Sequence, residues 1–297
     1  MSSYARLVAY RRAQPRAPRL DRQTVRTRGI AFAVFSTPPV DGRPPLLAIN
    51  GGMLFGHDML WPALAPLTAT RQLILYDQRG RGASSAAADP TAARIEDDAT
   101  DVGALRRALG VRQWDILGHS WGGGIALLAA SGDPAGTRRV VTVDSVGSTD
   151  SWIPILRRNA LARLSGEARN RLERISEDAL TSPDPEVHAE QTQAIYPAWF
   201  ADAEMAARFV LPKTLSETGA TVLARLRAEH YDWRQQVSAV RAPTLVIHGG
   251  LDPLPVETSL ELVSLLSGAQ HVVIPDAGHM PFWEAPDVFF PQVERFL

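Results

Sequence analysis

The sequence contains no cysteine and only one lysine. The absence of cysteine excludes disulfides, thiolate metal sites, iron–sulfur clusters and a cysteine nucleophile. No apolar run approaches the length of a membrane span, and no hydrophobic segment follows the arginine pair at residues 11–12 as a secretory signal would require. Phosphate-binding glycine motifs and spaced metal ligands are also missing from the sequence. We therefore expect a cytoplasmic protein without a cofactor or a bound metal.

The charge of the chain is balanced overall but uneven along its length. The 297 residues carry a net charge of −1, and 45% of them are hydrophobic, which is ordinary globular composition. This balance gives no sign of a nucleic-acid or membrane partner. Residues 1–30, however, hold eight arginines and a single acid. A targeting segment or a basic arm would account for this start, but we favour a solvated lead-in.

Short apolar segments alternate with helical patterns along most of the chain. Strands are predicted at residues 23–28, 30–36, 46–50, 72–77, 114–117, 139–143, 244–248 and 271–274. Helices are predicted at residues 58–67, 91–109, 121–130, 256–266 and 285–296. This order favours an α/β fold with a mostly parallel eight-stranded sheet and helices on both faces.

The alternation stops between residues 146 and 237. This stretch is rich in arginine, glutamate and alanine, is helical in pattern and shows no convincing core strand. We interpret it as an inserted helical cap on a core formed by residues 1–145 and 238–297.

The pentapeptide Gly-His-Ser-Trp-Gly at residues 118–122 matches the Gly-x-Ser-x-Gly nucleophile elbow. A predicted strand precedes it and a predicted helix follows it, as the motif requires. The sharp turn lifts the hydroxyl of Ser120 clear of the backbone, and the flanking glycines permit that turn. The start of the helix then directs partial positive charge at a developing oxyanion. Ser120 is therefore the candidate nucleophile.

A nucleophilic serine requires a base and a group that orients the base. His279 follows the last predicted strand, at the sheet edge where parallel strands place their sites. Asp252 lies between Ser120 and His279 in the chain order Ser, Asp, His, so we favour it as the orienting acid. Asp144, at the end of an earlier strand, remains the alternative.

An oxyanion hole requires two backbone N–H donors. The N–H of Trp121, directly after the nucleophile, is one candidate. The loop after the first parallel strand should supply the second, and Gly52 is preferred over Met53 because glycine allows close approach. Substrate contacts are expected from Met53 and from the cap aromatics Trp152 and Trp199. Further aromatics of the cap, which could wall the pocket or form cap core, are Tyr196, Phe200 and Trp233.

The chain resembles the α/β-hydrolase superfamily, and within it the proline iminopeptidase branch. The likeness rests on the elbow at 118–122, on Asp-Gln-Arg-Gly at 77–80, and on the Gly-His pair at 278–279. It implies a triad of Ser120, His279 and Asp252 beneath a helical cap. The oxyanion loop differs from that branch, with Asn50 and Met53 in place of histidine and proline.

The expected function is that of a cofactor-independent serine hydrolase. Its substrate would be a small, partly apolar ester, lactone, amide or short peptide, cleaved through an acyl-enzyme. The alternatives are an iminopeptidase-type aminopeptidase, a related acyl-transfer or carbon–carbon hydrolase, and a non-catalytic ligand receptor on the same scaffold. The sequence does not indicate an oligomeric state.

Overall fold

A computed structural model describes residues 2–209 and 211–297, and it contains one eight-stranded sheet. The spatial order of the strands is β1-β2-β4-β3-β5-β6-β7-β8. The strands are β1 Asp21–Thr27, β2 Ile30–Ser36, β3 Leu46–Ile49, β4 Leu73–Tyr76, β5 Trp114–His119, β6 Thr137–Val143, β7 Thr244–Gly249 and β8 Gln270–Ile274. All eight predicted strands are present, with ends that shift by one or two residues.

The sheet combines an antiparallel edge with a parallel remainder. β1 pairs antiparallel with β2, and β2 antiparallel with β4, whereas β4, β3, β5, β6, β7 and β8 run parallel. Arg28 and Gly29 join β1 to β2 with φ angles of 50° and 75°, the positive values that a tight hairpin turn uses. The carboxyl ends of the parallel strands therefore meet at one edge of the sheet.

Helices cover both faces of the sheet, which explains why the central strands are apolar without alternation. The helices are α1 Ser3–Ala13, α2 Ile95–Ala108, α3 Trp121–Gly132, α4 Ile153–Arg163, α5 Gly166–Arg174, α6 Pro185–Ile195, α7 Ala203–Arg208, α8 Glu217–Glu229, α9 Arg234–Ser238, α10 Glu257–Leu265, α11 Pro281–Glu284 and α12 Pro286–Phe296. Along β3, Leu47 and Ile49 face a core shared with α2, α3 and α10, whereas Leu46 and Ala48 face a core shared with α1 and α12.

One local expectation was wrong, and another holds only in part. Residues 58–67 do not form one helix but are divided between the short 3₁₀ turns His57–Met59 and Ala65–Ala69 and the turn that joins them, because Pro62 and Pro66 remove N–H donors that a continuous helix needs. The arginine-rich start exposes most of its arginines, as a solvated lead-in would, but Ser3–Ala13 form α1, which buries Leu7 against the core.

The stretch from 146 to 237 leaves the sheet after β6 and returns to it at β7. Where the structure describes it, it consists of α4 to α9 with short 3₁₀ turns between them. A single antiparallel bridge between Thr149 and Asp232 brings its two ends together. Over residues 2–209 and 211–297, no helix combines the length and apolarity that a membrane crossing requires.

Candidate active site

Ser120 occupies a strained turn between β5 and α3. Its φ of 57° and ψ of −123° lie in a region that residues other than glycine rarely adopt. A Cβ on Gly118 would lie 2.1 Å from the carbonyl oxygen of Gly122, and one on Gly122 would lie 2.2 Å from that of Ile49. The two glycines of the motif are therefore required by backbone contact, and the turn they permit presents Ser120 to a cavity.

The loop after β3 lies directly against Ser120. A Cβ on Gly51 would lie 2.5 Å from the Cβ of Ser120, so only glycine fits there. Gly52 has a φ of 79°, a backbone conformation that favours glycine. Gly52 and Trp121 both line the cavity beside Ser120. The two candidate oxyanion donors thus border the same space.

His279 is buried, and an acid fixes its ring. Its Nδ1 lies 2.7 Å from Oδ2 of Asp252, and the ring of Trp199 packs on its face with centroids 4.0 Å apart. Burial lowers the pKa of His279 to about 3, which keeps the ring neutral at physiological pH, as a base must be. His279 and Ser120 line the same cavity, although the hydrogen bonds of the described residues do not include one between their side chains. Such bonds are often long before substrate binds.

A second buried carboxyl lies behind this pair. Oδ1 of Asp144 accepts a hydrogen bond from the N–H of Gly249 at 2.6 Å, and ligand atoms of Asp144, Asp252 and His279 lie within 4.8 Å of one another. Burial raises the pKa of both carboxyls, and their proximity opposes ionising them together. These three residues offer ligand atoms that are close enough together to hold a metal ion. The short Nδ1–Oδ2 contact fits a hydrogen-bonded acid–base pair better.

The Asp-Gln-Arg-Gly motif supports the loop after β3, a role that the sequence did not reveal. The side chain of Gln78 donates to the carbonyl of Asn50 at 2.9 Å, and the side chain of Asn50 donates to the carbonyl of Phe55 at 3.0 Å. The Asp77 carboxylate accepts the N–H of His57 at 2.7 Å. The loop bearing Gly52 is therefore held by side-chain bonds from both of its ends.

The cavity has a volume of about 100 Å³ and lies between the sheet edge and the helices of residues 146–237. Trp152, Trp199 and Tyr196 line it, and the expected substrate contacts of Trp152 and Trp199 stay a prediction. Phe200 and Trp233 are buried in core clusters instead. Further lining residues, which could not be selected from the sequence, are Phe55, Met59, Val146, Leu156, Gln191, Thr192, Ile195, Leu211, Leu223, Arg227, Leu254 and Met280.

Met53 does not contribute to the lining of this cavity. Its side chain is fully buried, its sulfur faces the guanidinium of Arg81, and its carbonyl accepts a bond from Arg81 Nε at 2.8 Å. The expectation that Met53 contacts substrate therefore finds no support in its position.

Comparison with known proteins decides the family. A family model described as the alpha/beta hydrolase fold matches residues 44–286. The chain belongs to the α/β-hydrolase family. This confirms the resemblance and the fold drawn from the motifs, and it identifies the chain as a hydrolase.

Individual relatives of this α/β-hydrolase differ in activity. A proline iminopeptidase of Heyndrickxia coagulans is 26% identical over 268 residues, covering 86% of this chain and 91% of the relative. A 2-hydroxymuconate semialdehyde hydrolase of Pseudomonas putida is 30% identical over 233 residues, covering 77% of each. The solved enol-lactonase of Burkholderia xenovorans LB400 superposes with a TM-score of 0.67 at 21% identity, covering 93% of this chain and 99% of that one. Family membership therefore leaves the substrate open.

Proposed function

We propose that this α/β-hydrolase is a serine hydrolase that cleaves an ester or amide bond of a small, partly apolar substrate. One arrangement carries the proposal: Ser120 on a strained elbow faces the same cavity as His279, whose Nδ1 lies 2.7 Å from Asp252. Residues 146–237 form the cap of this hydrolase in our proposal, and residues 1–145 and 238–297 its core.

The mechanism follows from the roles that this geometry suits. Oγ of Ser120 attacks the substrate carbonyl while Nε2 of His279 takes the hydroxyl proton. The N–H groups of Trp121 and Gly52 stabilise the oxyanion, aided by the amino end of α3. His279 passes its proton to the leaving group, and an acyl-enzyme remains. His279 then activates a water molecule that hydrolyses the acyl group and restores Ser120.

The lining of the cavity favours esters over peptides with a free amino terminus. Holding an ammonium group requires a carboxylate near the nucleophile, and none of the described lining residues is aspartate or glutamate. The cap carboxylate of Glu190, for example, pairs with Arg171 at 2.7 Å. The aminopeptidase activity of the Heyndrickxia relative therefore ranks second for this chain.

A fluorophosphonate probe and a parallel substrate panel test the proposal. We expect the probe to label Ser120, and short-chain nitrophenyl esters to be cleaved in preference to prolyl nitroanilide. Ser120→Ala should lower kcat/KM by about a thousandfold or more. Ser145→Ala is the matched control, because that serine is also buried, bonds its own neighbour's carbonyl and does not line the cavity.

The outcomes separate the alternatives. Absence of labelling in folded protein would support a ligand receptor. Ester cleavage by Ser120→Ala at the wild-type rate would contradict the proposed mechanism. Dominant prolyl nitroanilide turnover would favour the aminopeptidase. Acyl transfer to added alcohols, or cleavage of a vinylogous diketone, would favour the acyl-transfer or carbon–carbon alternative.

A further inference from the structure

One lining residue of the active-site cavity carries a fixed charge. Of the described residues around the cavity, Arg227 is the single arginine, and neither lysine, aspartate nor glutamate is among them. The two lining histidines are held neutral, since burial lowers the pKa values of His119 and His279 to about 3. The electrostatic character of the cavity is therefore set by one guanidinium on α8.

Arg227 is incompletely neutralised by the protein. Its Nη1 lies 3.4 Å from Oε2 of Glu177, at the long limit of a hydrogen bond. The same carboxylate lies 2.9 Å from Nε of Arg157. Two guanidiniums thus share one half-exposed carboxylate, and the cluster keeps a net positive charge. The side chain of Arg227 is 17% exposed, so little water screens that charge.

Neutral polar groups accompany this charge. Gln191 and Thr192 lie on α6, which packs against α8, and both line the cavity with Arg227. Apart from Ser120, the two neutral histidines and two glycines, the remaining wall is aromatic and aliphatic. A cavity with one cation, neutral polar groups and a largely apolar wall suits a small anion attached to a hydrocarbon chain.

We infer that the substrate of this hydrolase carries a carboxylate or similar small anionic group, bound by Arg227 while Ser120 attacks the ester or amide bond. The inference rests on the proposed function and names the substrate class for the same site. A planar guanidinium can hold a carboxylate by two parallel hydrogen bonds, which also fixes its direction relative to the nucleophile. The anion could be on the acyl or the alcohol side of the bond.

The test uses two pairs of substrates that differ only in charge. Monomethyl glutarate and methyl 5-methylhexanoate place a carboxylate or an isopropyl group on the acyl side. The pair 4-acetoxybutanoate and 4-methylpentyl acetate does so on the alcohol side. We expect wild-type enzyme to favour the anion at least tenfold in kcat/KM in one pair, which identifies the side. Arg227→Gln should lower that ratio at least tenfold.

A neighbouring arginine supplies the matched control. Arg225 lies two residues before Arg227 on α8 and binds Glu229 and the carbonyl of Thr91 outside the cavity. Arg225→Gln should therefore leave the preference for the anionic substrate unchanged. Glu177→Gln removes the competing carboxylate and should raise the ratio. The inference would be overturned if wild-type enzyme did not favour the anion over its neutral isostere in either pair. It would also be overturned if Arg227→Gln left the ratio of the two kcat/KM values unchanged.

Binding of free glutarate, followed by calorimetry, separates this inference from the proposed function. We expect Arg227→Gln to weaken glutarate binding at least tenfold relative to Arg225→Gln, whether or not any ester is cleaved. If the probe labels Ser120 and neutral esters are cleaved but glutarate binding is the same in both variants, only the anion site fails. If glutarate binds through Arg227 but no ester is cleaved, only the hydrolase mechanism fails.

Discussion

Two buried aspartates lie behind His279, and they differ in their hydrogen-bond partners. Asp252 faces the ring of His279 with Oδ2 and accepts the N–H of Leu254 with Oδ1. Asp144 accepts the N–H of Gly249 with one oxygen, and its other oxygen has no partner beyond the neighbouring Asp252 carboxyl. Burial, with added repulsion from Asp252, raises the pKa of Asp144 well above its usual range. Asp144 therefore keeps a proton that it can donate toward Asp252.

Separate asparagine substitutions at the two positions should have unequal effects. Asp252→Asn removes the charge that holds the ring of His279 in the right tautomer, and we expect kcat/KM to fall about a thousandfold or more. Asp144→Asn replaces the protonated carboxyl by an amide of the same shape, so activity should stay within about tenfold of wild type. Ester kinetics on both variants check this. Inactivation by Asp144→Asn with a silent Asp252→Asn would assign the triad acid to Asp144.

At the scale of elements, α1 is the one that composition alone misjudged. Its arginines suggested solvation, yet two of the three make contacts that neutralise or cover them. Arg6 bonds the carboxylate of Asp287 on α12, and Arg11 lies 4.3 Å over the ring of Trp283. The ring of Tyr10 stacks on that of Phe290 with centroids 5.6 Å apart. The helix thus adds a layer to the face of the sheet that α12 covers.

Shortening the one fully buried side chain of α1 should destabilise the fold. Leu7 is 3% exposed, and we expect Leu7→Ala to lower the free energy of unfolding by about 2 kcal/mol or more. Arg12→Ala, at an exposed position of the same helix, should change it by less than about 0.5 kcal/mol. Urea unfolding measures both. Equal, small changes in the two variants would mean that α1 is dispensable for stability.

The elements that the sequence revealed share a cause. Strands buried on both faces are nearly pure apolar runs, and the elbow requires glycines at fixed spacing, so both leave a local signature. The helix predicted at residues 58–67 was wrong because the prediction followed the apolar spacing and gave too little weight to two prolines. The structure breaks that helix where Pro62 and Pro66 withhold their N–H groups.

At the scale of the whole molecule, the candidate site is assembled from distant segments, and the contribution of the helical stretch 146–237 could not be predicted. Gly52, Ser120 and His279 follow strand ends and were predicted from motifs. Gln191 and Arg227 lie on helices whose patterns specify only an apolar face, and nothing local says which polar residue turns toward the cavity. Their selection depends on how the helices of 146–237 sit on the sheet edge.

Glu284 joins those two parts of the molecule. Its carboxylate accepts N–H groups from Gly278, beside His279, and from Ala201 and Asp202 in the helical stretch, at 2.7 to 3.1 Å. Burial nevertheless raises its pKa to about 7. Between pH 4.5 and 7 the native protein therefore retains a proton that the unfolded chain has released.

This proton gives stability a pH dependence with a definite sign. Because the folded pKa lies above the unfolded one, the contribution of Glu284 is full below pH 4.5 and falls as the pH rises through 7, by up to about 3 kcal/mol. Glu284→Gln cannot titrate and lacks this fall, although its NH₂ group opposes one backbone donor. The stability deficit of the variant should therefore shrink from pH 4.5 to pH 8 in urea unfolding. Glu294→Gln, at an exposed position of α12, is the surface control. A deficit for Glu284→Gln that stays constant with pH would mean that its carboxylate is charged in the native protein throughout, stabilised by its three N–H donors.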